Sequence, residues 1–165
     1  MKTVTVLLTR YSDLFGKIIC AISKHGYSHA SLSIDGEEEI FYSFNVKGFV
    51  IEKPKKCRPK KREYGSVCIR MQVPEVTYAA IEEELSRFLK KRKVYKYSCL
   101  GVALCLLHIP CKFKDSYFCS QFVSEVLSRA GAVELKKKES LYLPGQLMDE
   151  MECLFSDKQF VYNAI

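Results

Sequence analysis

The repeat of hydrophobic and polar positions changes several times along the chain, and each change marks an element. Residues Thr3 to Thr9 (TVTVLLT) are β-branched and apolar, which predicts a buried strand. Leu14, Phe15, Ile18, Ile19 and Ile22 then recur at helical spacing. Ser12 or Asp13 stands in place as a cap, and His25 with Gly26 as the stop, so this helix is expected to turn an apolar face to a sheet. From Ser28 the repeat falls to two, with His29, Ser31 and Ser33 alternating with Ala30, Leu32 and Ile34 before a turn at Asp35 and Gly36. Glu39 to Val46 (EIFYSFNV), Gly48 to Glu52 (GFVIE) and Ser66 to Val73 (SVCIRMQV) read as further strands, most economically joined as an antiparallel meander.

Pro74 is tolerated at a first helical turn, and Val76, Ala79, Ala80, Leu85, Phe88 and Leu89 form the apolar stripe of an amphipathic helix. Tyr97 to Ile109 is apolar nearly all round, which predicts a buried helix. The loop CKFKDSY then leads to a helix from Cys119 to Ala130 with Gly131 as its stop. Its apolar face is Cys119, Phe122, Val123, Val126, Leu127 and Ala130. The remainder, SLYLPGQLMDEM and FVYNAI, predicts a loop with a short helix and a last strand rejoining the sheet. The expectation is one α+β domain over residues 1–165, an antiparallel sheet packed against helices.

Composition narrows the function. A chain of 165 residues with 48% apolar and 27% charged content is ordinary for a globular domain with an adequate core. Seven of its basic residues lie between Lys53 and Arg62, where Pro54 and Pro59 exclude a helix or central strand. That segment reads as an exposed loop with an affinity for anionic surfaces. It has no interleaved aromatics on which bases could stack, which argues against nucleic acid as a partner. The first residues, MKTVTVLLTRYSD, lack the pattern of a signal peptide, and no apolar run approaches the roughly 20 residues that span a bilayer. An intracellular, cytoplasmic location is expected, with the eight cysteines reduced and mostly filling the core. Cys105, His108 and Cys111 lack the paired spacing of a zinc site, so neither metal nor other cofactor is expected.

Two residues stand apart from these roles. Cys119 begins a helix, where unpaired N–H groups and the positive end of the dipole favour a thiolate; Ser116 or Asp115 would cap that helix. Its backbone N–H is placed to help form an oxyanion hole. Cys20, Cys57, Cys68, Cys99 and Cys105 lie inside elements or among prolines and lysines. Of the three histidines, His25 sits at a helix end and His108 precedes Ile109 and Pro110, leaving His29 as the best base. His29 precedes Cys119 by 90 positions (119 minus 29), no obstacle for partners that meet in space.

YSHASLSID followed by a second strand, and YFCSQFVSEVLSRAG followed by LPGQL, resemble the circularly permuted papain-like cysteine hydrolases of the NlpC type, including the YiiX-like and YebB-like proteins. In that group the histidine strand comes before the cysteine helix. The resemblance implies a permuted papain-like fold, Cys119 as nucleophile and His29 as general base. It also implies an orienting residue on the strand after His29, where IFYSFNV offers Tyr42, Ser43 or Asn45 and no carboxylate; Glu37, Glu38 and Glu39 are expected to be solvated. The implied substrate is a small amide, peptide or lipid. The alternatives are an acyltransferase using a lipid or amine acceptor, with the Lys53 to Arg62 loop resting on an anionic bilayer, and a non-catalytic binding module of the same fold.

Overall fold

The computed structural model of the chain describes residues 1–10, 14–23, 26–34, 36, 38–53 and 66–154. Ser12 and Asp13, the helix stop at His25, Asp35 of the turn, Glu37, most of the basic segment with Cys57, and the expected strand FVYNAI lie outside them.

The architecture is α+β. Five antiparallel strands, β1 (Lys2–Thr9), β2 (His29–Ser33), β3 (Phe41–Asn45), β4 (Gly48–Glu52) and β5 (Val67–Val73), stand in the order β4-β3-β2-β1-β5. Only β2 to β4 form the expected meander; β5 crosses to the far edge and pairs with β1 instead of β4. Pattern alone could not exclude this, because side-chain alternation fixes which face of a strand is buried and not which strand pairs along its edge.

One face of the sheet supplies Val4, Val6, Leu8, Ala30, Leu32, Phe44 and Phe49 to the main core. Against it lie α2 (Glu75–Lys90), through Ile81, Leu85 and Phe88, and α4 (Cys119–Arg129), through Phe122, Val123, Val126 and Leu127. Aromatic rings dominate the contact. Phe88 meets Phe122 edge-on at 4.9 Å, and Phe44 lies 5.3 Å from Phe122. Helix α4 is buried from Cys119 through Leu127, polar residues included. Its polar side is covered as well, with Ser120 donating to the Tyr142 carbonyl at 2.6 Å. The covering comes from a 3-10 turn (Glu139–Leu141) and from α5 (Pro144–Leu154).

Two elements differ from expectation. In α1 (Leu14–Ser23), Ile19 packs on Val102, Phe118 and Leu143, away from the sheet, and Ile18 is 45% exposed. The apolar run from Tyr97 to Ile109 yields only α3 (Cys99–Leu106), buried along one side alone. Ser98 caps α3, accepting from the Gly101 N–H at 3.0 Å. Short strands β6 (Lys96–Tyr97) and β7 (Ser116–Tyr117) flank α3 and pair in parallel. The α3 excursion therefore returns the chain beside its point of departure and delivers Phe118 and Cys119. No helix among the described residues is long and apolar enough to cross a membrane.

Candidate active site

His29 is the first residue of β2 and Cys119 the first of α4, and the fold brings the two side chains into hydrogen-bond contact. Both are nearly sealed from solvent, at 4% and 3% exposure. On the other side of the ring, Nε2 lies 3.1 Å and 3.0 Å from the two carboxylate oxygens of Glu52.

An imidazole held between a sulfur and a carboxylate has two acceptors around it, and only the imidazolium carries two donors. Burial by itself would pull the His29 pKa down. The hydrogen bonds the ring makes to Cys119 and Glu52, with the negative charges they bring, outweigh it and raise the value from 6.5 to about 10.

The polar side chain against the His29 ring is thus Glu52, in place of Tyr42, Ser43 or Asn45. Alternation along the strands explains the difference. Leu32 is paired with Tyr42, so Tyr42 shares the core face of the sheet, opposite the His29 face, and its ring stacks on Phe49 at 6.2 Å. Ser43 is on the correct face, but its hydroxyl donates to the Ala30 carbonyl at 2.6 Å. Asn45 accepts from the Lys47 N–H. Glu52, opposite Phe41, lies on the same face as Ser43. A signal for it existed: Glu52 is the single acidic residue between Glu39 and Glu63, and it ends a strand already recognisable as GFVIE. Looking one strand beyond β3 would have reached it.

Glu38 also departs from the expectation of a solvated side chain. It pairs with Arg70 and accepts from the Thr5 hydroxyl at 2.9 Å, tying the β2–β3 connection to β1 and β5.

The start of α4 is built differently from expectation too. Neither Ser116 nor Asp115 caps it; Phe118 occupies the cap position with extended backbone and no side-chain hydrogen bond. Ser116 has been drawn into β7, and the Asp115 carbonyl accepts from Lys96. The first helical bond runs from the Phe122 N–H to the Phe118 carbonyl. The N–H groups of Cys119, Ser120 and Gln121 thus have no acceptor within the helix, and the first belongs to the residue that bears the sulfur.

The other thiols occupy different surroundings. Burial pushes Cys68 and Cys105 up to about 11 each. Cys20 is buried, Cys111 half-buried, and Cys99 and Cys153 are exposed, so core filling accounts for fewer of the cysteines than expected. His108 is exposed, at a positive φ of 58°. Among the described residues no three His, Cys, Asp or Glu side chains gather as a metal site. The chain matches no model of a known protein family, and comparison with curated proteins yields no significant match.

Proposed function

We propose that the protein is a thiol hydrolase of the permuted papain-like, NlpC type, cleaving an amide, peptide or acyl bond. Cys119 is the nucleophile, His29 the acid and base, and Glu52 the residue that orients and charges His29. One observation carries the reading: the His29 ring bridges the Cys119 sulfur and the Glu52 carboxylate.

The chemistry follows from the starting protonation. A cysteine attacks a carbonyl as its thiolate, and a protonated imidazole beside it is the counter-ion that form needs. The sulfur adds to the carbonyl carbon, and the Cys119 N–H at the uncapped helix start donates to the developing oxyanion. Collapse breaks the bond to the leaving amine or alcohol, which takes its proton from the His29 imidazolium. Neutral His29 then removes a proton from water as the water adds to the thioester. Release of the acid restores thiolate and imidazolium.

A non-catalytic binding module has no need of a carboxylate held against the His29 ring, and Glu52 lies 3.0 Å from it. The acyltransferase alternative shares every step up to the thioester and differs only in the acceptor. A small alkylating probe at limiting concentration near neutral pH tests the proposal. Cys119 should be labelled ahead of the far more accessible Cys99 and Cys153, and His29→Ala should abolish the preference. Labelling that follows exposure alone would refute it.

A further inference from the structure

Helix α3 is apolar on both sides, yet one side is bare. Leu100 and Leu107, at 58% and 67% exposure, are separated by two helical turns, with exposed Ala103 between them. Ile109, just past the helix, is 47% exposed, and Val94, ahead of β6, is 52% exposed. Leu100, Ala103 and Leu107 share one side of α3, and such a stripe marks an interaction surface where scattered single residues would not. The opposite side of α3 is firmly seated, Val102 and Cys105 packing on Ile19, Phe118 and Leu143.

The chain on either side of α3 is strongly basic. From Lys90 through Lys114 the chain has seven Lys and Arg residues and not one Asp or Glu. Lys90, Lys91, Arg92, Lys93, Lys96, Lys112 and Lys114 are all exposed. Lys137 adds its field from the connection after α4, acting on the Cys105 thiol of α3. Lys112 is paired with the buried Glu125 at 2.7 Å, Asp115 directly follows Lys114, and Glu139 stands in the 3-10 turn against which α3 packs.

We propose that this stripe docks on the anionic surface of a lipid bilayer, with α3 lying in the headgroup plane, its leucines among the acyl chains and its lysines against lipid phosphates and carboxylates. At 8 residues, about 12 Å, the helix is far too short to span the membrane. A second copy of the chain is the poorer occupant, because face-to-face pairing would oppose two strongly basic surfaces. Since α3 rests on Phe118, the residue before Cys119, docking brings the start of α4 to within about one helix diameter, roughly 10 Å, of the bilayer. The surface itself does not depend on the thiol chemistry.

Co-sedimentation of the full chain with vesicles tests the surface. The protein should bind vesicles of phosphatidylcholine containing about a third phosphatidylserine, bind pure phosphatidylcholine poorly, and lose binding as salt is raised. The double substitution Leu100→Glu and Leu107→Glu should weaken binding at least about tenfold. Its labelling at Cys119 should be unchanged, which separates this test from that of the hydrolase. Leu100→Ser with Leu107→Ser, free of added charge, should give a smaller loss in the same direction. Three results would overturn the proposal: no binding by the parent chain, equal binding by both double variants, which would leave the Lys53 to Arg62 loop as the membrane contact, or a parent dimer that the substitutions dissociate.

Discussion

Glu52→Gln isolates what the carboxylate contributes, because glutamine keeps the size and an oxygen acceptor while removing the charge. The ring it addresses is 4% exposed and the carboxylate 20%, so the interaction is only partly screened. Replacing a charge-assisted hydrogen bond by a neutral one at this site costs about 1.5–3 kcal/mol of imidazolium stability. The ring stays protonated at neutral pH, so the effect of the substitution appears on the alkaline side of the profile. The direction with pH is fixed by the sign of the shift. His29 has its pKa raised from 6.5 to about 10, so the protonated ring persists through neutral pH and is lost as pH rises through the folded value. Removing the charge should move the alkaline limb of the Cys119 labelling profile down by about one to two pH units. The assay is the second-order labelling rate of Cys119 against pH for parent and variant, with thermal melting as the folding control. An unchanged alkaline limb in a folded variant would refute the role given to Glu52.

The same shift predicts a stability effect. His29 contributes stabilisation that is complete below about pH 6.5 and lost as pH rises through about 10, so urea unfolding between pH 7 and 10 should fall more for the parent chain than for Glu52→Gln; parallel curves would contradict it. Phe88→Ala removes a fully buried ring packed on Phe122, Tyr95 and Tyr117 and should cost about 3–5 kcal/mol in urea unfolding, a loss under about 1 kcal/mol being incompatible with this packing. Gly48 has φ +95°, and a Cβ there would stand 2.3 Å from the Tyr95 carbonyl oxygen. Gly48→Ala should therefore destabilise by at least about 2 kcal/mol, and a neutral result would mean that β4 and the Tyr95 backbone are not in this contact.

Periodicity makes the strands from Thr3 to Val73 and the helix from Cys119 legible, because a two-residue or 3.6-residue repeat is a local property of the chain. His29 and Cys119 were recognisable for the same reason: each is the first residue of a strongly patterned element. Strand order was not. Five strands of similar apolarity admit several pairings, and that β5 joins β1 is decided only in the assembled sheet. Glu52 was hidden by the same limit. It lies 23 residues from His29 and one strand beyond β3, and nothing local distinguishes a carboxylate aimed at a ring from one in solvent.

The run from Tyr97 to Ile109 shows the boundary most directly. Composition there reports that the segment is apolar, but burial depends on whether other elements arrive to cover it, and only one side of α3 is covered. The amino-acid order determined the repeats, the turns and the two residues with reactive side chains. The tertiary structure decided their partners: sulfur, imidazole and carboxylate come from α4, β2 and β4, elements that meet only when the sheet and helices pack, since proximity in space is a property of the assembled core and not of any stretch of chain.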